Sequence, residues 1–176
     1  MNLIERDSWL WGYLQPEIQD LINDGEILID FVRNNKVGSM MTDYSFIVFP
    51  FAKAYEGFLK KLFLDLKIIK HEEYYGDEIR IGRLLNPRYQ REIRNVFSKK
   101  CKSAVGKKPI MEQLWAVWKR GRNLVFHYFP HNFRKLSYEE SMEIVDEIIT
   151  TMHASVAGCK LNNKPVPEDV TSIVQP

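Results

Sequence analysis

Arg122 and His127 stand five positions apart in the segment Trp115-Ala116-Val117-Trp118-Lys119-Arg120-Gly121-Arg122-Asn123-Leu124-Val125-Phe126-His127-Tyr128. An imidazole that titrates near neutrality can move a proton in either direction. A guanidinium keeps its charge and can hold a phosphate through two parallel hydrogen bonds. On a helix Asn123 and His127, four apart, share a face, and Arg122 flanks it. Asn123 can then orient either partner. A proton carrier and an anion binder at one helix end are parts that phosphoryl chemistry uses. A bland reading stands beside this one: a histidine near a helix C-terminus is also favoured by the negative end of the helix dipole.

Other candidates surround this pair. Lys53 and Glu56 lie three apart on one helix. They form either a surface ion pair with each other or a set in which Glu56 reaches and orients Arg122. Lys119 and Arg120 can contact phosphates; Arg120, seven before His127, is otherwise a solvated charge. Tyr128 either hydrogen-bonds a polynucleotide or ends a core stripe. Trp115 and Trp118 read as core residues before they read as base-stacking platforms. His131 follows Pro130 and reads as a loop residue before it reads as a neighbour of the site. His71 and His153 have no partners at ligand spacing, and there is no HExxH, Walker loop or GxGxxG. No metal or organic cofactor is therefore expected.

The elements that must carry these residues are helical. Pro16 suits a first helical turn, with Glu17 and Asp20 near its positive end. Ile18, Leu21 and Ile22 follow at helical spacing, Gly25 interrupts, and Ile27, Leu28, Phe31 and Val32 resume. Asp43 can cap a helix whose apolar stripe runs from Tyr44 to Leu66; Pro50 either kinks it or marks its start. His71 to Asp77 reads as a turn or a short irregular piece. Ile79 to Leu85 and Tyr89 to Phe97 read as short helices, and Ser98 to Lys108 as a basic loop. Pro109 can open a long helix that Pro130 ends, with Gly121 a weak point within it. Ser137-Tyr138-Glu139-Glu140 is a capping box opening a last helix to about Gly158. No alternating strand pattern and no internal repeat is visible.

The expectation is an all-α, up-and-down bundle of four to six helices. One domain spans 1–160, with a core of 43–159 and an acidic helical region at 1–35; a tail occupies 161–176. The chain has 176 residues, 45% apolar and 27% charged, an ordinary globular composition. No run of apolar residues is long enough for a membrane span, and Met1 to Asp7 does not read as a secretion signal. Cys101 and Cys159 fit no ligand spacing, and the whole favours a reducing, cytoplasmic setting. Net charge is +2, but Arg80 to Lys108 is strongly basic and Met1 to Asp30 acidic. The basic stretch can attract phosphates or be a solvated face, and the acidic region can cover it within or between chains.

An Arg-x4-His run beginning Arg-Asn, late in an all-α domain and followed by one more amphipathic helix, is similar to the signature of HEPN domains. Phe49-Pro50-Phe51-Ala52-Lys53-Ala54-Tyr55-Glu56-Gly57-Phe58-Leu59-Lys60-Lys61-Leu62 resembles the matching earlier helix of the RnlA/LsoA (RNase LS) toxins. In those toxins a basic residue and a Glu three later accompany the Arg-x4-His pair, a spacing that Lys53 and Glu56 reproduce. The resemblance covers roughly Asp43 to Cys159.

It implies a metal-independent endoribonuclease, a toxin or antiviral-defence effector, that dimerises so that two Arg-x4-His motifs meet. An antitoxin or regulatory protein would restrain it. In that setting Arg122, His127, Asn123 and Glu56 are the catalytic set, and Lys53, Lys119, Arg120 and Tyr128 bind RNA. His127 would take the proton of a ribose 2′-hydroxyl, giving a 2′,3′-cyclic phosphate and a 5′-hydroxyl. Arg122 would stabilise the phosphoryl charge, and His127 of the second chain would protonate the leaving group. DNA, lacking the 2′-hydroxyl, would not be cut. Two alternatives remain: a non-catalytic HEPN module that binds RNA, nucleotide or protein, and a plain helical interaction domain.

Overall fold

The structure, a computed structural model, describes residues 2–35, 41–89, 91–101, 109–127, 135–159 and 161. Ser8 begins the helical run: its hydroxyl accepts from the Trp11 N–H at 3.2 Å and caps α1 (Trp9–Tyr13). Pro16 then occupies the first turn of α2 (Pro16–Asn34), where its missing N–H costs nothing. α2 does not break at Gly25. A side chain there would lie 2.4 Å from Cε2 of Phe51, so the glycine permits close approach to the next helix.

That next helix, α3 (Ser45–Asp65), is the centre of the molecule. Phe51, Phe58, Leu59, Leu62 and Phe63 are fully buried along it, each contributing about 1.5–3 kcal/mol by leaving water. Gly25 meets Phe51 and Gly57 meets Ile18, so α2 and α3 run antiparallel. The acidic N-terminal region is thus part of the core: Ile18, Ile22, Ile29 and Val32 are buried. Pro50 lies inside α3, so it does not mark the start. The carboxylate of Asp43 accepts from the Ser45 N–H at 3.0 Å and from the Leu136 N–H at 3.1 Å. Asp43 thus precedes the N-cap, Tyr44, rather than being it, but its carboxylate holds the first N–H of α3 and ties it to the approach to the last helix.

Three short helices follow. α4 (His71–Tyr75) replaces the turn expected there; Glu73 accepts from the Lys70 N–H and closes its first turn. α5 (Ile81–Leu85) stops before the 3-10 turn Pro87–Tyr89. α6 (Arg91–Lys100) runs three residues into the segment expected to be a basic loop; the rest of that segment lies outside the described residues. Pro109 precedes α7 (Ile110–Trp118), which passes into a π-helical turn, Lys119–Asn123. The helix thus ends well before Pro130, itself outside the described residues. Ser137 and Glu140 exchange hydrogen bonds at 3.1 and 2.8 Å, the capping box read from the sequence, and open α8 (Tyr138–Gly158).

The fold is all-α, with no strand among the described residues. The expected four to six helices correspond to the long elements; the described residues hold eight α-helical segments, several of a single turn. α2 and α8 both pack on α3, and α7 packs between α8 and α5. Tyr55, buried on α3, donates to the Leu114 carbonyl of α7 at 3.1 Å, and burial holds its hydroxyl well above the usual tyrosine range. Leu161, assigned to the tail from sequence, is buried; the remaining tail lies outside the described residues.

Cys101 and Cys159 are joined by a disulfide, across 58 residues, linking the ends of α6 and α8. The cysteines therefore give no support to a reducing setting. Among the described residues no helix is long and apolar enough to cross a membrane.

Candidate nucleic-acid cleft

Glu56 faces outward from the middle of α3 and forms an ion pair with Arg122, Oε2 to Nε 3.3 Å. Both side chains are partly exposed, 34% and 41%. The pair joins α3 to the π-helical turn and crosses 66 positions of sequence. The guanidinium carbon of Arg122 also lies 5.0 Å from the ring centre of Trp118, a cation–π contact that fixes the plane of the fork. Among the described residues Nη1 and Nη2 have no other ion-pair partner, so the fork retains donors for an anion.

The pair lies in a cleft of about 520 Å³ whose walls include Arg80, Arg83, Asn86, Trp115, Trp118 and Asn123. Its floor is built by a large residue against a small one. The Trp118 indole is buried, and a side chain at Gly82 would lie 2.8 Å from its Nε1. That N–H is buried without a hydrogen-bond partner among the described residues.

Trp118 is thus core, as its type suggested, while Trp115 is half buried and lines the cleft. Lys53 is exposed and does not pair with Glu56, which turns to Arg122 instead. The i,i+3 surface pair is therefore absent, and the competing expectation, Glu56 beside Arg122, describes the structure.

The expectation that Asn123 and His127 share a helical face fails. The α-helix gives way to the π-helical turn, and the chain bends at Leu124 and Val125, leaving His127 exposed beyond the helix. Phe126 stacks edge-on against Phe49, with ring centres 5.5 Å apart. Arg122 meets Glu56 and Phe126 meets Phe49, so this segment follows α3 over about 10 Å. Asn123 and Arg122 line the cleft; His127 does not.

Arg120 is held by two carboxylates of α8: Glu143 at 3.1 Å, and Glu147 in close contact. Lys119 is exposed. Tyr128 and His131 lie outside the described residues. Among the described residues no three His, Cys, Asp or Glu side chains converge as a metal site would require.

Sequence reasoning overlooked Arg80, Arg83 and Asn86 as members of this cleft. Their signal was the basic run itself, which gave no clue to where α5 would pack.

A family model described as RNase LS, bacterial toxin DBD domain, matches residues 19–129. The match begins within the first turn of α2 and takes in the rest of it, which the resemblance of Asp43 to Cys159 had excluded, and stops before α8. Lys53, Glu56, Arg122, Asn123 and His127 all fall within it. No curated protein and no solved structure matches the chain.

Proposed function

We propose that this chain, which belongs to the RNase LS bacterial toxin DBD domain family, is a HEPN-type endoribonuclease that cuts RNA without a metal. The observation that carries this reading is the Glu56–Arg122 ion pair. It fixes a guanidinium at the mouth of a cleft lined by further arginines, within the matched segment that also contains His127.

In this reading Arg122 binds the scissile phosphate through its terminal nitrogens while Glu56 holds Nε. His127 accepts the proton of the 2′-hydroxyl, whose oxygen attacks the adjacent phosphorus. The phosphorus–5′-oxygen bond breaks and leaves a 2′,3′-cyclic phosphate. The departing 5′-oxygen takes a proton from the imidazolium of His127 in a second chain. A homodimer suits this division because one motif holds one histidine, and each proton transfer contributes roughly 10²–10⁴-fold. Lys53 and Lys119 contribute phosphate contacts, and Asn123 positions the substrate. Arg120, occupied by Glu143 and Glu147, serves mainly to fasten the π-helical turn to α8. The family also makes an RNA substrate and a restraining antitoxin the natural partners.

The test is cleavage of RNA in EDTA by the wild type, His127→Ala and Arg122→Ala. Wild-type cutting to cyclic-phosphate ends is expected, with loss in His127→Ala and a drop of about 10²–10³ in Arg122→Ala, as for removing one charge-stabilising donor. Cutting that survives His127→Ala, or that needs added metal, sinks the mechanism. The exposed position of His127 outside the cleft favours one other reading, a non-catalytic RNA-binding module. Binding without cleavage would select it.

A further inference from the structure

A second groove, about 430 Å³, lies on the other side of Glu56. It runs between α2, α3 and α4, and its walls include Lys53, Lys60, Tyr74, Tyr75 and Glu17. Glu56 lines both this groove and the arginine cleft. The two hollows are therefore neighbours across one side chain, and the wider basin contains five cations, Lys53, Lys60, Arg80, Arg83 and Arg122, against Glu17 and Glu56. Among the described residues Lys53, Lys60, Arg80 and Arg83 have no ion-pair partner. By contrast Arg6, Lys61 and Arg120 are each held by a carboxylate.

The aromatic side of the groove is equally specific. Tyr75 is 57% exposed, large for an aromatic residue. His71 packs against it at 4.7 Å between ring centres and Tyr74 edge-on at 4.9 Å. Tyr74 is itself anchored by donating its hydroxyl hydrogen to Gln15. The result is a supported ring with an open surface beside unpaired cations. Cations at intervals with an exposed aromatic platform suit a single-stranded polynucleotide, whose phosphates and unstacked bases need those two partners. An acidic peptide would use the cations and leave the ring idle. A duplex hides its bases from such a ring.

We infer that the two hollows form one track for single-stranded RNA, crossing Glu56, with Arg80 and Arg83 holding phosphates on one side and Lys53, Lys60 and Tyr75 holding backbone and base on the other. This rests on the RNA reading above and adds to it the path and the strandedness of the substrate. Along α3 the portion from Lys53 to Lys60 alone is about 10 Å long. The track binds the strand beyond the scissile linkage, so its residues set affinity and length preference, and a minimal substrate does not need them.

The experiment uses the full chain carrying His127→Ala, and a fluorescein-labelled single-stranded RNA of about 12 nucleotides, within the range that compact domains track. Binding is followed by anisotropy across a salt series. Arg80→Gln with Arg83→Gln, Tyr75→Ala alone, and Lys60→Gln with Tyr75→Ala, are made in that background and with His127 restored.

Expected are a salt slope flatter by about 1.4 for the arginine pair, about 0.7 per lost phosphate contact on a single strand. Tyr75→Ala alone should weaken binding roughly five- to a hundred-fold, the range for one stacked base. A dinucleotide, too short to reach the α2–α4 groove, should still be cut at the wild-type rate by the Lys60→Gln, Tyr75→Ala variant. Circular dichroism melts check that each variant folds. Unchanged affinity and slope in folded variants that still cut RNA would overturn the track and leave the nuclease standing. Tight, variant-sensitive binding by a wild type that does not cut would remove the nuclease and keep the track. Equal competition by duplex RNA or by polyglutamate overturns it.

Discussion

At the scale of single residues, the question is what Glu56 does for Arg122. A carboxylate on Nε lowers the freedom of the guanidinium and leaves its outer edge for phosphate. The pair is partly exposed, so its contribution to folding is small, about 0.2–1 kcal/mol as for surface ion pairs. Its effect should appear in turnover. Glu56→Gln is expected to lower kcat about tenfold with little change in KM or melting temperature. Glu56→Asp, which keeps the charge but shortens the reach, should recover part of the loss. Equal falls in stability and activity would instead mark Glu56 as merely structural. Arg122→Lys keeps the charge but loses the planar fork and the contact over Trp118. Recovery of full activity by lysine would show that a point charge suffices there.

At the scale of elements, Asp43 shows how one carboxylate fastens the starts of two helices together. Partial burial pulls its pKa up, but hydrogen bonds from the Ser45 hydroxyl and from the Leu136 and Ser45 N–H groups outweigh this, aided by Lys135. The net effect holds the carboxyl below its ordinary value. Its folded pKa is therefore lower than its unfolded one, so the stability it adds is present above the unfolded value, near 4, and lost as pH falls through the folded value. Asp43→Asn should cost about 1 kcal/mol at neutral pH, the difference between hydrogen bonds to a charged and to a neutral acceptor, and the gap from wild type should close below about pH 4. Urea titrations at pH 7 and pH 3 measure this; an equal gap at both pH values would contradict it. Gly25→Ala should also destabilise, by about 1–3 kcal/mol, because its methyl overlaps Phe51.

These elements also show what could be read in advance. The apolar stripe of α3 and the capping box of α8 are local signals, and both stand where the sequence puts them. The turn expected at His71 is a helix because Glu73 closes it with a side-chain bond that composition does not reveal. The α7 pattern continues in sequence past Trp118, yet the backbone widens into a π-helical turn. That change carries Arg122 onto Glu56, a contact 66 residues long in sequence that Lys53–Glu56 spacing could only suggest. Arg80 and Arg83 were legible as charge but not as cleft walls, because that depends on where a five-residue helix docks.

At the scale of the whole molecule, the disulfide decides how the two ends of the bundle stay together. α6 precedes α7 and the arginine-bearing π-helical turn, and α8 follows them, so the Cys101–Cys159 bond, 58 positions apart in sequence, encloses that turn and the Arg-x4-His segment in one loop. Two cysteines can pair within the chain only with each other, but a separation of 58 positions does not say that they do, which is why the bond escaped the reading of spacing alone. Closing a loop of that size restricts the unfolded chain by up to about 4 kcal/mol in the chain-entropy model. For a chain of this length that corresponds to a melting-temperature shift on the order of 10 °C.

The Arg122–Glu56 contact is fastened separately, by α3 packing and by Trp118, so reduction should leave cleavage at room temperature nearly unchanged. The expected result is therefore a split: dithiothreitol or Cys159→Ser lowers the melting point and spares initial rates. Thiol titration of the denatured, unreduced protein should find no free cysteine. Two reactive thiols, or melting curves that coincide with and without reductant, would mean that the bond does not hold this bundle together. A parallel loss of rate well below the melting point would instead make the disulfide part of what shapes the cleft.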